Sequence, residues 1–368
     1  MENVVLYRKY RPQNFNEIIG QEHIVQTLTN SLKSGAISHA YLFSGPRGSG
    51  KTTMARIFAK AVNCETKSKD KPCNACDSCL EINLGNSMDL IEIDAASHTG
   101  VDDVRELIDG LKFAPVKSKY KIFIIDECHQ LSKSASNALL KTLEEPPAHA
   151  IFLLATTEAH KMIPTIISRC QRFDFKRLHL PEIVKKLEFI AKQEKIKFES
   201  AALSLIALNA RGSFRDAESL LDKCISFSGK DGIVTSQEIK ELLGVVEISQ
   251  ISKFVDFLLA KNTKDAILFL NSLVETGVDL QEFAKTLIFY LRQSLLLKIN
   301  PELLQKETSG LSREEIATMQ TQIEKLSEKQ IQTSLELFID AENKMKYAII
   351  LQLPLELVAV DITHHHET

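Results

Sequence analysis

The run Gly45, Pro46, Arg47, Gly48, Ser49, Gly50, Lys51, Thr52 fits the spacing G-x-x-x-x-G-K-[ST], with Thr53 next. Glycines here let a backbone wrap a phosphate with its N–H groups pointing inward. Lys51 is spaced to reach the β- and γ-phosphates of a nucleotide, and Thr52 to offer a hydroxyl to Mg²⁺. The start of a helix would add a favourable partial positive charge. A second motif, "IFIIDECHQ", delivers Asp126 and Glu127 to the end of an apolar run. Asp126 can hold Mg²⁺, usually through water. Glu127, one residue on, can orient and deprotonate a water near the γ-phosphate. An acidic strand end that merely caps the next helix is the plain alternative. Beside an intact phosphate loop the pair argues for hydrolysis as well as binding.

Cys64, Cys73, Cys76 and Cys79 form a separate constellation, spaced C-x8-C-x2-C-x2-C. Two-residue gaps let thiolates converge on one ion, and four thiolates close a tetrahedral Zn²⁺ site that leaves no position for substrate, so the metal would be structural. An iron–sulfur cluster, disulfides and free thiols are the alternatives. Against the cluster, the fourth cysteine lies upstream and no proline follows Cys79. Cys128, Cys170 and Cys224 lack such spacing and read as small buried residues. Seven cysteines, an odd count, argue against a simple disulfide framework.

Elements able to hold these residues are visible around them. "AYLFSG" (40–45), "MDLIEID" (88–94), "YKIFIIDE" (120–127) and "AIFLLATT" (150–157) are nearly continuous apolar runs, as strands covered on both faces should be. "TTMARIFAKAV", "VDDVRELIDGL" and "SASNALLKTLEE" have helical patterns and lie between them, so the alternation predicts a parallel α/β sheet. In "TIISRCQRFDF" (165–175) an apolar run gives way to a short alternating strand. After "RLHLPE" the strands are expected to stop, and Pro181 suits the first turn of a helix. Capping-box signatures open three later helices: Thr235 with Glu238, Ser312 with Glu315, and Ser327 with Gln330. Leu280, Phe283, Leu287, Leu291 and Leu295 form one apolar stripe, and Ile331, Leu335, Phe338 and Met345 another. Each reads equally as domain core or as an oligomerisation surface. The expected organisation is a P-loop α/β domain at 1–178 with the cysteine insert at 64–79, a small helical domain at 179–243, and an all-helical bundle at 244–368.

At 368 residues and 44% hydrophobic the chain can bury large cores. A net charge of −3 supplies no bulk electrostatic drive to nucleic acid. Residues 1–60 differ: Arg8, Lys9, Arg11, Lys33, Arg47, Lys51, Arg56 and Lys60 oppose Glu2, Glu17 and Glu22, a local +5 that suits a polyanion or a solvated face. No apolar stretch approaches the ~20 residues needed to span a bilayer. The N-terminus lacks the order of a signal peptide, so a soluble, cytoplasmic protein is expected.

The motifs together resemble the ATPase subunit of the bacterial DNA polymerase III clamp loader, the gamma/tau family. "YRKYRPQNF", "IIGQEHI", "GPRGSGKTT", the four-cysteine insert, "IDECHQLS", "NALLKTLEEPP", "LLATTE", "ISRC" and "GSFRDAESLLDK" carry the resemblance over about residues 5–225. It implies an AAA+ ATPase using ATP, Mg²⁺ and Zn²⁺, with a helical lid and a C-terminal oligomerisation collar. By position, Tyr7, Arg11 and Pro12 of "YRKYRP" would flank the adenine. Thr157 would be a first sensor near the attacking water, and Arg215 a second sensor reaching from the lid to the γ-phosphate. Arg169 of "ISRC" would point into the next subunit's nucleotide site as an arginine finger. Taken alone, Thr157 reads as satisfied by backbone, Arg215 as a surface helix charge and Arg169 as a solvated side chain. The implied partners are further copies of the chain, delta-type subunits, a sliding clamp and primer–template DNA, with no membrane. The implied activity is ATP-driven placement of the clamp on primed DNA. A nucleotide-binding scaffold without turnover, another AAA+ DNA motor such as a branch-migration helicase, and a zinc-dependent DNA-binding regulator are the alternatives.

Overall fold

The computed structural model describes residues 4–66, 71–97, 100–228, 233–244, 246–300 and 312–364. The chain divides into two compact units, Met1–Ile239 and Lys240–Thr368. No helix among the described residues is long and apolar enough to cross a membrane.

The first unit is built on a parallel sheet of β1 (Ala40–Ser44), β2 (Leu90–Asp94), β3 (Lys121–Asp126), β4 (Ala150–Thr156) and β5 (Gln171–Asp174), in the order β2-β3-β4-β1-β5. Side chains alternate between two cores, as the two-residue period of a strand requires. Tyr41, Phe43, Ile122, Ile124, Ile151 and Leu153 enter the core shared with α2 (Glu22–Ser34) and α3 (Lys51–Asn63), which follow the short α1 (Leu6–Lys9). Leu42, Phe123, Ile125, Phe152 and Leu154 enter the opposite core. There they meet α5 (Val101–Gly110) and α6 (Lys133–Glu144). The cysteine insert contributes α4 (Asp77–Leu84), and α7 (Pro164–Ile167) precedes β5. Three of the apolar runs are strands buried throughout or nearly so. The run at 88–94 is the exception: β2 lies at the sheet edge, and Glu92 and Asp94 are exposed.

A helical segment completes this unit with α8 (Leu180–Gln193), α9 (Ser200–Asn209) and α10 (Phe214–Ser228). Pro181 sits in the first turn of α8, and the expectation that strands end here is corrected by a two-stranded parallel ladder of β6 (Lys197–Phe198) and β7 (Ile233–Val234). Two residues per strand leave too little alternation to register in sequence. The Thr235–Glu238 capping box opens α11 (Ser236–Leu243).

The second unit is all-helical: α12 (Ile248–Leu259), α13 (Thr263–Glu275), α14 (Leu280–Ile299), α15 (Arg313–Glu324), α16 (Glu328–Met345) and α17 (Leu353–His364). Both capping boxes expected here form. The two apolar stripes are the core of this bundle. Leu280, Phe283, Leu287, Leu291, Ile331, Phe338 and Met345 are buried, with Leu295 and Leu335 packed against them. They are therefore not available as an assembly surface. At its centre Gln322 accepts from Tyr290 Oη at 2.6 Å and donates to Ser252 and Asp256. Of the terminal "HHHET", His364 ends α17 and residues 365–368 lie outside the described residues.

Candidate nucleotide-binding site

The C-terminal ends of β1, β3 and β4 share one rim of the sheet, where the phosphate loop, the acidic pair and Thr157 meet. The loop leaves β1 at Ser44 and enters α3 at Lys51, with Gly50 at the N-cap. Two of its glycines are dictated by close approach. A Cβ on Gly45 would lie 2.6 Å from the Phe175 carbonyl oxygen, and one on Gly48, at φ +73°, would lie 1.9 Å from Ser213 Oγ. The Gly48 contact seats the lid on the loop: Phe214 N donates to Gly48 O at 3.2 Å, and Ser213 Oγ caps α10 through Asp216 N.

Lys51 is buried, and its Nζ donates to Gly45 O and Pro46 O, each at 2.9 Å. Burial pulls its pKa down, opposed by the nearby Glu127 and Asp126. Thr52 Oγ1 donates to Asp126 Oδ2 at 2.6 Å. That pairing fits Mg²⁺ taken directly by the Thr52 hydroxyl oxygen and, through water, by Asp126. Glu127 has a left-handed backbone, φ 45°, unusual for a residue with a Cβ. Its Oε2 accepts from Thr157 Oγ1 at 2.8 Å and from Thr157 N at 3.2 Å. Thr157 is thus satisfied by the acidic motif, and the reading in which backbone alone satisfies it is set aside.

His129 was not singled out from sequence. Its ring lies between two carboxylates, with Nδ1 2.9 Å from Thr156 Oγ1 and 3.5 Å from Glu127, and Nε2 3.2 Å from Glu158. Motif spacing gives no signal for such a bridge.

The cleft continues from Arg47, Gly48, Ser49, Gly50, Lys51, Thr52 and Thr53 to Tyr7, Arg11, Pro12, Ile18 and Ile19, and is closed on the lid side by Lys186, Phe214, Arg215 and Glu218. Arg215 is exposed and stands over the Tyr7 ring at 5.1 Å, so the second-sensor candidate and the adenine-flanking candidate meet. Arg169 does not line this cleft. Its Nη2 pairs with Glu144 Oε1 at 2.6 Å and its Nη1 donates to Thr165 O at 2.9 Å. The positive excess of residues 1–60 is dispersed rather than pooled: Arg56 pairs with Glu92, Lys9 with Glu194, and Lys51 and Lys60 are buried.

Cys64, Cys73, Cys76 and Cys79 bring their sulfurs within 4.8 Å of one another. A Zn²⁺ tetrahedron with bonds of ~2.3 Å has S–S edges of about 3.8 Å, so the donor set fits the ion. A hydrogen bond from Thr66 and backbone N–H groups of Ala75 and Cys76 lower the Cys73 thiol to about 5. Lys60 joins this knuckle to the N-terminal segment. It is 2% exposed, and its Nζ donates to Gln13 O (2.9 Å) and to Gln13 Oε1, Asn74 Oδ1 and Asn83 Oδ1 (2.8 Å each). Of the other cysteines, Cys128 and Cys224 are buried as expected, and Cys170 is only partly so.

A phosphate loop between β1 and α3, an acidic pair ending β3 and a helical lid seated on the loop define the AAA+ class of P-loop folds. Three family descriptions match in succession: "DNA polymerase III, delta subunit" at residues 20–179, "DNA polymerase III clamp loader subunit, ATPase lid domain" at 182–230, and "DNA polymerase III subunits gamma and tau domain III" at 234–367. DNA polymerase III subunit tau of Bacillus subtilis (strain 168) is 52% identical over 303 residues, 82% of this chain and 54% of that protein. DNA polymerase III subunit gamma of Buchnera aphidicola subsp. Baizongia pistaciae (strain Bp) is 41% identical over 324 residues, 88% of this chain and 86% of that one. The chain belongs to the gamma/tau family of DNA polymerase III clamp-loader subunits. It spans about half the length of the Bacillus relative, 54%. A solved structure of Thermotoga maritima RuvB, a Holliday junction branch migration motor, is similar with a TM-score of 0.48 and 19% identity over 73% of this chain and 86% of that one.

Proposed function

We propose that the chain is an ATP-hydrolysing motor subunit that opens a ring-shaped sliding clamp and places it on primer–template DNA, working with other clamp-loader subunits. The observation that carries this reading is the convergence of Lys51, the Thr52–Asp126 pair and the Thr157-bound Glu127 on one rim beside the phosphate loop. In this reading Lys51 exchanges its two loop carbonyls for phosphate oxygens. Thr52 and Asp126 would hold Mg²⁺, which supplies charge neutralisation at the phosphates when bound. Glu127, released from Thr157, orients a water and takes its proton. Thr157 and Arg215 sense the γ-phosphate, and Tyr7, Arg11 and Pro12 border the base. The four cysteines would hold a structural Zn²⁺.

Arg169 acts in trans on the neighbouring subunit's nucleotide. Its pair with Glu144 is partly exposed, with side chains 33% and 49% accessible, so giving it up costs about 1 kcal/mol or less. Self-association through the C-terminal bundle uses a surface other than the buried stripes. Tyr347, Ile349 and Ile350 are exposed apolar candidates for it.

The test is phosphate release by assemblies reconstituted with clamp and primed DNA. Lys51→Ala and Arg169→Ala should each abolish most turnover, the finger alone contributing roughly 10³-fold or more. Mixing the two variants should restore part of it. Full turnover by a dilute monomer carrying Arg169→Ala would overturn the role in trans. Absence of DNA-stimulated phosphate release from the unaltered assembly would favour a scaffold without turnover.

A further inference from the structure

Glu218 is a buried acid for which the hydrolytic reading has no use. It is 6% exposed and lines the cleft, and among the described residues its carboxyl has no hydrogen-bond or ion-pair partner. It lies one helical turn beyond Phe214, on the same face of α10, and Phe214 is the residue whose N–H holds the phosphate loop. Four residues of helix advance by about 6 Å, so Glu218 is set back from the loop along the cleft wall. The charges that reach it are Lys186 on α8 and Arg11 in the segment that also carries Tyr7. Lys186 Nζ is bonded instead to Tyr10 O at 3.2 Å. A buried carboxyl without a partner is costly unless something supplies hydrogen bonds to it.

We propose that Glu218 is a specificity-determining residue whose carboxyl pairs with the amino-bearing edge of an adenine base. The inference rests on the nucleotide-binding reading of the cleft and adds a group that reads the base. The triphosphate cannot be the partner, because it is anionic and the loop with Lys51 serves it. What remains of a nucleotide is the base edge and the ribose hydroxyls. Burial raises the Glu218 pKa to about 7, against Lys186 and Arg11, which lower it, so the protonated form is present near neutrality. A protonated carboxyl offers one O–H donor and one acceptor oxygen. That matches an adenine edge with its ring-nitrogen acceptor and amino donor. Purine riboside keeps that ring nitrogen but lacks the amino donor.

The experiment measures equilibrium binding of ATP, purine riboside triphosphate and 2′-deoxy-ATP to the full chain, unaltered and as Glu218→Leu, Glu218→Gln and Lys51→Met. The unaltered chain should bind ATP roughly tenfold tighter than purine riboside triphosphate, the effect of about one well-made hydrogen bond. Glu218→Leu should bring that ratio close to one. Glu218→Gln, which keeps a donor and an acceptor, should preserve it. The preference between ATP and 2′-deoxy-ATP should not move. An unchanged ratio in Glu218→Leu, no preference in the unaltered chain, or a change confined to 2′-deoxy-ATP would overturn the proposal. Undiminished ATP binding by Lys51→Met would instead remove the nucleotide reading, and this inference with it. Melting temperatures without nucleotide verify that each variant folds.

Discussion

Helix α3 carries a buried lysine at each end. Lys51 is 5% exposed and Lys60 is 2% exposed, burial pulls the pKa of both down, and among the described residues neither forms a salt bridge. Their partners differ. Lys51 donates to two carbonyls of its own loop, and it faces a cleft. Lys60 donates to four oxygens from three separate segments, at Gln13, Asn74 and Asn83. Loop carbonyls can find other donors when a ligand arrives, so the Lys51 ammonium is exchangeable. The Lys60 ammonium has three protons for four acceptors and nothing left to offer. Burial and a lowered pKa therefore do not identify a functional lysine; the replaceability of its partners does.

The sharpest way to break this contrast is at Lys60. Lys60→Met keeps the apolar stem and removes every donor. Four acceptors lose their partner, and the first unit should lose about 3–4 kcal/mol of stability, each unsatisfied buried group costing roughly 1–3 kcal/mol before relaxation. Chemical denaturation measures it. Asn74 lies among the four cysteines and Asn83 just beyond them, so chelation of the Zn²⁺ proposed there should loosen the same segment. The two perturbations should then add to less than their sum. Full additivity would mean that Lys60 and the knuckle are independent.

At Lys51 the effects should fall on ligand binding and not on the fold. Lys51→Met should weaken ATP binding by about 2–3 kcal/mol, roughly 30- to 150-fold, the range for a hydrogen bond to a charged group. Its melting temperature without nucleotide should stay close to that of the unaltered chain. A destabilisation matching that of Lys60→Met would erase the distinction between the two ends of the helix.

The same contrast explains what could be read from sequence. Lys51 was legible because its whole environment is one contiguous loop, and Asp126 with Glu127 because an apolar strand ends on them. The four cysteines were legible for the same reason of short spacing. Lys60 was not, because its acceptors lie at residues 13, 74 and 83, and nothing local marks them. The apolar runs forecast the parallel sheet but did not reveal that β2 is an edge, since edge position depends on strand order. The stripes at 280–295 and 331–345 fixed helix faces without telling core from interface; only the packing of the bundle against itself decides that. Glu218 and His129 matter through neighbours brought together by the fold.

Carboxylates divide along the same line, with the smallest expected effect. Glu218 lines the cleft and among the described residues its carboxyl is unpartnered, whereas Asp89 is fully committed. Asp89 is 2% exposed and accepts from Val116 N at 2.7 Å, Lys117 N at 2.9 Å and Ser118 N at 2.8 Å, fixing the approach to β3. Burial alone would raise its pKa, but the three backbone N–H groups prevail and hold it below the ordinary 3.8. A carboxyl depressed in the folded state binds its proton less readily there than in the unfolded chain. Its stabilisation is therefore complete above pH 3.8 and lost as pH falls through the folded value. Asp89→Asn keeps the shape, loses the charge and turns an N–H₂ toward donors. It should cost about 1–2 kcal/mol at pH 7. Measured by denaturation at successive pH values, the gap from the unaltered chain should begin to close below pH 3.8. Glu218→Leu, by contrast, should show no such loss at pH 7, because it removes an unpartnered polar group. A gap for Asp89→Asn that stayed constant down to pH 2 would show that the 116–118 turn is held by shape and not by charge.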